Sequence, residues 1–274
     1  MAINWFPGHM NKARREIGKA MGKTRLVIEV LDARIPFSSE NPLVSGLRRD
    51  TPHIKVLNKR DLADPAITAR WLDHLNAQPG ITAVALQKDE PQQVKALIGL
   101  GLSLLPEDRN PNRIVTAMVL GIPNCGKSTL INTLVGRTIA KASNKPAVTQ
   151  RQERIRVTHD FYLLDTPGFL WPKLDPPACG YRLGVTGAIK DAVLEFEDIA
   201  FFAAKYLIKA YPQALKDRYG LEEVPEDAMG LMEAIAQRRG CIGRGGTVNL
   251  HKVSELFIRE IRQGTLGRLS FERP

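Results

Sequence analysis

Gly121-Ile122-Pro123-Asn124-Cys125-Gly126-Lys127-Ser128 has the spacing G-x-x-x-x-G-K-S, a loop that wraps phosphate groups. At average composition the pattern arises by chance in about one chain of this length in a hundred, and its flanks narrow it further. The β-favouring Ile114, Val115, Met118, Val119 and Leu120 come before it, and Lys127 to Leu134 reads as the start of a helix. Gly121 and Gly126 let the backbone curl so that successive N–H groups converge on an anion, and the helix N-terminus adds partial positive charge. Asn124, Cys125, Gly126, Lys127, Ser128 and Thr129 are therefore candidate nucleotide contacts. The Lys127 ammonium suits the β- and γ-phosphates, and the Ser128 hydroxyl suits Mg²⁺.

Two further motifs lie outward from this loop. Downstream, Phe161-Tyr162-Leu163-Leu164 reads as a strand that delivers Asp165-Thr166-Pro167-Gly168. Asp165 then stands near the Mg²⁺ shell, and the Gly168 N–H faces the γ-phosphate. An Asp-x-x-Gly alone is expected about once by chance in a chain this long, so its position carries the weight. Upstream, the apolar run His53–Leu57 ends in Asn58-Lys59-Arg60-Asp61. An Asp61 carboxylate can accept from guanine N1–H and the 2-amino group, neither of which adenine offers, and the Lys59 stem can lie over the base. Together the motifs predict GTP and GDP as ligands rather than ATP.

Their order is unusual, because the base-reading motif precedes the phosphate loop. This resembles the circularly permuted GTPases. Trp5-Phe6-Pro7-Gly8-His9-Met10, Asp32-Ala33-Arg34-Ile35-Pro36 and Arg244-Gly245-Gly246 resemble the bacterial ribosome biogenesis GTPase A (YlqF) family over the whole chain. The resemblance implies a GTPase acting in late assembly of the large (50S) ribosomal subunit, with the particle and its rRNA as partners and as stimulus for hydrolysis. It also implies that Thr149 is the switch threonine, binding Mg²⁺ or the γ-phosphate in the triphosphate state. Asn124 is then a candidate K⁺ ligand beside the phosphates, and His9 a candidate for positioning or deprotonating water. Gln87 and Lys88 occupy the second base-contacting loop, where the family usually reads Ser-Ala-Lys. Pro146-Ala147-Val148-Thr149 likewise departs from the family's Pro-Gly before the switch threonine. After Gly168, where many GTPases carry a water-orienting Gln, stands Phe169.

The 274 residues carry a net charge of +10, which favours a polyanionic partner. Residues 1–60 hold 12 Lys or Arg against 5 Asp or Glu and 113–177 hold 9 against 4, whereas 178–274 hold 14 against 13, so the excess lies in the expected nucleotide domain and its N-terminal extension. Lys12, Lys19 and Lys23 fall on one side of an expected N-terminal helix, opposite Met10, Ala13 and Ile17, and fit rRNA contact. Cys125, Cys179 and Cys241 are widely spaced, suggesting neither a disulfide framework nor zinc. With no long apolar run and no leader signal, the expectation is a cytoplasmic protein, monomeric and independent of membranes.

Leu26–Leu31, His53–Leu57 and Ile81–Leu86 alternate with helix-like segments, so the fold class is α/β with a mainly parallel sheet. The expected architecture is a circularly permuted P-loop GTPase domain over 1–177, followed by a small all-helical unit over 178–274. Residues 106–112 join what would be the termini of an unpermuted domain, and Arg151–Thr158 with Phe161–Leu164 form a strand pair. Helices are expected over 194–210, 226–239 and along the stripe Val253, Leu256, Phe257 and Ile261. The basic, glycine-rich Arg238–Gly246 is read as an RNA-backbone contact. Two alternatives stay open: a GTP-gated RNA-binding placeholder with little catalysis, and a K⁺-activated GTPase of tRNA modification, for which no modification domain is recognisable.

Overall fold

The computed structural model describes residues 17–48, 50–106, 114–139, 153–166, 168, 170 and 174–274. His9, Thr149 and Phe169, with residues 107–112 of the expected linker, lie outside the described residues.

The apolar runs become strands because β-branched and leucine side chains fill both faces of a covered sheet. The strands are β1 (Leu26–Asp32), β2 (His53–Asn58), β3 (Ile81–Ala85), β4 (Val115–Gly121), β5 (Glu153–Arg156) and β6 (Phe161–Asp165). They form one six-stranded sheet in the order β3-β2-β1-β4-β6-β5, parallel except for β5, which runs antiparallel on β6. β1 is buried along its whole length. Its neighbours are β2 and β4, with Asp32 opposite Asn58 and Val30 opposite Gly121. The chain therefore leaves three adjacent strands at one carboxyl edge, with the base-reading motif and the phosphate loop on either side of the end of β1. Open α/β sheets bind ligands at such an edge.

Helices α1 (Pro36–Ser39), α2 (Pro42–Arg48), α3 (Pro65–Asn76), α4 (Pro91–Ser103) and α5 (Lys127–Val135) accompany the sheet. Proline opens the first four, where its missing N–H costs nothing, and Asp64 caps α3 by accepting from Ala66 N and Ile67 N. Both faces of the sheet are covered. Ile28, Val30, Ile54, Val56, Ala117 and Val119 belong to the larger apolar cluster, and Val27, Met118 and Leu120 pack with Ile17 and Val44.

Beyond residue 177 the chain is helical: α6 (Ala178–Thr186), α7 (Phe196–Ala210), α8 (Pro212–Tyr219), α9 (Ala228–Arg239) and α10 (Leu250–Gln263). The expected stripe is realised, since Val253, Phe257 and Ile261 are buried. α6 and α8 are short and were not foreseen, because eight or nine residues give too little periodicity to read. The final segment turns back onto the sheet domain. Leu269 N donates to Leu62 O at 2.9 Å and Phe271 N to Arg34 O at 2.8 Å. Glu272 is buried and accepts from Ser38 N at 3.1 Å, from Ser38 Oγ, and from Arg182 at 3.2 Å. Leu183, Leu207 and Phe271 accordingly share one apolar cluster with Val119 and Ile122, continuous across the two halves of the chain.

Candidate nucleotide site

The phosphate loop is built so tightly that only glycine fits two of its positions. A Cβ on Gly121 would stand 2.7 Å from Cys125 Sγ and 2.8 Å from Val30 O. Gly126 has φ 96°, and a Cβ there would lie 2.2 Å from Asn58 Nδ2. The loop ends on the N-terminus of α5, so its curled backbone and the helix end act on one place. Lys127 is buried and paired with the Asp165 carboxylate from the end of β6. Burial pushes the Asp165 carboxyl up, against the pull of the Lys127 ammonium beside it. Ser128 is half-buried on the first turn of α5, and Thr129 is exposed. Burial raises the Cys125 thiol to about 11, so the cysteine is an inert packing group whose carbonyl and N–H matter more than its sulfur.

Asn58 joins the two motifs. Its Nδ2 donates to Cys125 O at 2.8 Å, holding the phosphate loop against the end of β2 across 67 residues of sequence. Lys59 adopts a left-handed conformation with φ 59°, and its Nζ lies 2.9 Å from Asp32 Oδ2. That turn sends the chain into the 3-10 turn Arg60–Leu62, whose first turn carries Asp61, half-buried. Arg60 is a scaffold residue. It pairs with Glu90, donates from Nε to Gln87 Oε1 at 3.3 Å and from Nη1 to Ala85 O at 3.4 Å. Gln87 is thus held beside the base-reading turn, while Lys88 is exposed one residue further on.

Gly168 packs on the phosphate loop, where a Cβ would meet Pro123 N at 3.3 Å and Ile122 C at 3.4 Å. Thr166 is fixed by its hydroxyl, which donates to Val119 O at 2.8 Å. The structure therefore brings Asn58, Lys59, Asp61, Gln87, the loop 124–129, Asp165 and Gly168 to a single edge. Asn124 has φ 59°, and its Nδ2 donates to Gly187 O at 2.8 Å, past the C-terminus of α6.

Sequence reasoning missed one participant of this edge. Asp32 was quoted only as part of a family motif, yet its buried carboxylate accepts from Arg34 Nε at 2.9 Å, Arg34 Nη2 at 2.7 Å and Lys59. Burial alone would raise this carboxyl, but the two cations hold it well below the usual carboxylate range. Its place at the end of a buried strand, apolar except for Glu29, was the available signal.

Among the described residues, no group of three or more His, Cys, Asp or Glu could hold a metal by itself. A hydroxyl at Ser128 and a carboxylate at Asp165, flanking a phosphate cradle, are a donor set that suits Mg²⁺ held jointly with a nucleotide. No described helix is long and apolar enough to cross a membrane.

Residues 116–215 match a family described as "50S ribosome-binding GTPase". Ribosome biogenesis GTPase A of Priestia megaterium is 45% identical over 282 residues, covering 100% of this chain and 98% of that protein. A GDP-bound YlqF structure superposes with a TM-score of 0.69 at 28% identity, covering 95% of this chain and 99% of that one. The GNP-bound YlqF of T. maritima gives 0.68 at 28% identity, covering 96% and 98%.

Proposed function

The chain belongs to the ribosome biogenesis GTPase A family and is a GTPase, and we propose that it works in late maturation of the large ribosomal subunit. In this reading the GTP-bound protein docks on an immature 50S particle and its rRNA, the particle stimulates hydrolysis, and the GDP form leaves. It acts in the cytoplasm as a monomer. The observation that carries the nucleotide half is the Asn58–Cys125 hydrogen bond, which ties a guanine-reading motif to a phosphate loop at one sheet edge. The ribosomal half is supported by the net charge of +10 and by what the matched family and relatives are called.

Within the site, Asp61 reads the guanine edge, Lys59 covers the base, and Gln87 and Lys88 close its far side. Lys127 and the N–H groups of 124–129 neutralise and orient the phosphates, while the Gly168 N–H meets the γ-phosphate. Ser128, Asp165 and Thr149 would hold Mg²⁺, which would supply neutralisation of the phosphate charge. Asn124 is the residue that would contribute to a K⁺ site beside the phosphates, and His9 would orient or deprotonate the attacking water, a role that Phe169 cannot fill. Residues 178–274 form the ribosome-facing unit. There Arg238 is exposed and suited to phosphate, whereas Arg239 is occupied by Arg218 O at 3.3 Å and by the Tyr219 ring. Because Asp165–Gly168 stands directly upstream of the helical unit in the chain, loss of the γ-phosphate shifts this unit. Unchanged distance labels between 178–274 and the sheet domain in GDP and GTP-analogue states would sink that part.

The deciding experiment is GTP turnover in KCl and in NaCl, with and without purified large subunits. Stimulation by the large subunit and not by the small supports the reading, and loss of turnover in NaCl supports K⁺. Particle binding that depends on GTP but leaves turnover unstimulated favours the placeholder alternative, which Phe169 keeps open. For the base, Asp61→Asn exchanges the preference for GDP for one for xanthosine diphosphate.

A further inference from the structure

Asp32 is the last residue of the central strand β1, with the base-reading turn after β2 on one side and the phosphate loop after β4 on the other. It is 2% exposed and every part of it is held. Its N–H donates to Ser39 Oγ at 3.1 Å. Oδ1 accepts from Arg34 N at 3.1 Å and Arg34 Nε at 2.9 Å. Oδ2 accepts from Arg34 Nη2 at 2.7 Å and from Lys59 Nζ at 2.9 Å. Arg34, also 2% exposed, continues outward: its Nη2 lies 3.4 Å from Thr186 O, and its own carbonyl accepts from Phe271 N at 2.8 Å.

Thr186 belongs to a cluster of carbonyls at the end of α6 that is capped by side chains as well as by the backbone N–H groups of Gly187 and Ala188. Arg262 Nη2 donates to Gly184 O at 2.8 Å and its Nε to Val185 O at 3.1 Å, Arg34 takes Thr186 O, and Asn124 takes Gly187 O. Cations at a helix C-terminus satisfy orphan carbonyls and complement the negative end of the helix. The base-reading turn, through Asp32 and Arg34, and the phosphate loop, through Asn124, therefore meet on the same helix end.

We propose that Asp32 is a positioning residue for guanine recognition: its buried carboxylate holds the Lys59 ammonium in place at the base-reading turn, and its partner Arg34 anchors that turn to the end of α6. The proposal rests on the reading that Asn58–Asp61 meets the base. Lys59 is 24% exposed and has a flexible four-carbon stem, so a free ammonium would leave that stem mobile over the site. Asp32 orders the stem before any nucleotide arrives. Freezing one long side chain on binding costs about 2- to 10-fold in affinity, and pre-ordering removes that cost. Arg34 keeps the carboxylate in the one orientation in which Oδ2 still accepts from Lys59, because its fork engages both oxygens.

The test is a double-mutant cycle on the full chain, with affinities for GDP and a non-hydrolysable GTP analogue, a melting transition for each variant, and steady-state GTP turnover. Asp32→Asn is expected to weaken both nucleotides about tenfold and alike, raising KM and leaving kcat within about twofold. Lys59→Met is expected to do the same, and the double variant to bind no more weakly than Lys59→Met alone. Fully additive losses, or unchanged GDP affinity in a folded Asp32→Asn protein, overturn the proposal. Should that variant not fold, the wild type decides through the ammonium resonance that Lys59→Met removes. A sharp signal both without and with GDP supports pre-ordering, and its appearance only with GDP refutes it. Asp61→Asn separates the two levels. If it fails to shift preference toward xanthosine diphosphate, the base-reading assignment falls and this proposal with it. If it shifts preference while the cycle is additive, only the positioning role of Asp32 falls.

Discussion

Asp32 and Glu260 are both carboxylates shared among several donors, one at the nucleotide edge and one inside the helical unit. Glu260 accepts from Arg218 Nε at 3.0 Å and Tyr219 OH at 2.8 Å, with Arg239 at 3.6 Å. Burial would raise its carboxyl, but Arg218, Tyr219 and Arg239 hold it below its ordinary value, while burial and Glu260 drive the Tyr219 hydroxyl up. All its partners come from α8 and α9, so the network closes on itself and ties α10 to its neighbours. The Asp32 network instead ends on a half-buried cation at a ligand edge. A polar network that ends at a cleft can act on a ligand, whereas one that closes among helices can only stabilise them.

The sharpest way to break this contrast is at Lys127. Lys127→Ala removes the cation proposed to face the phosphates and leaves Asp165 buried without its partner; GDP affinity is expected to fall more than about 100-fold. A Kd by calorimetry within tenfold of wild type would mean that the loop backbone alone holds the nucleotide. Glu260→Ala is the mirror experiment. It leaves Arg218 and the Tyr219 hydroxyl unpaired and is expected to cost about 2–4 kcal/mol in urea unfolding. GDP affinity should not change, and a matching loss of affinity would dissolve the distinction between the two networks.

Gly168→Ala forces a Cβ against the backbone of Ile122 and Pro123, a contact only backbone movement can relieve. GTP turnover is expected to drop about tenfold, with GDP affinity within about threefold, because the strain falls where we propose that the γ-phosphate is met. The smallest effect is on pH. Asp32 and Glu260 have folded pKa values below the unfolded ones, near 3.9 and 4.3. On acidification the unfolded chain takes up protons first, so the stability they contribute is complete at neutral pH and is lost below about pH 4. Asp165 and Glu272, pushed up by burial, carry the opposite sign: what they contribute is largest in acid and fades as pH rises through their folded values. Urea unfolding of Glu260→Gln between pH 3 and 7 should therefore give a flatter acid limb than wild type.

What the sequence by itself determined is local. The phosphate loop needs glycines at two places in eight consecutive residues, and the strand before it and helix after it are set by neighbours within one turn or one strand. The sheet was legible for the same reason, because its central strands read as short, mainly apolar runs broken by Glu29, His53 and Lys55. The permuted order of motifs was likewise visible, since order is a property of the chain. Pairings between distant residues were not. Asn58 with Cys125, Lys59 with Asp32, Asn124 with Gly187 and Ser38 with Glu272 join positions 27 to 234 residues apart. No periodicity marks such partners, because each pairing follows from which strand ends fall side by side in the sheet and from where the C-terminal segment returns. Tertiary structure alone therefore decided that Asp32, a strand end unassigned in the sequence, stands between the two motifs the sequence had made plain. A buried carboxylate must find cations, and only the assembled fold determines which ones are within reach.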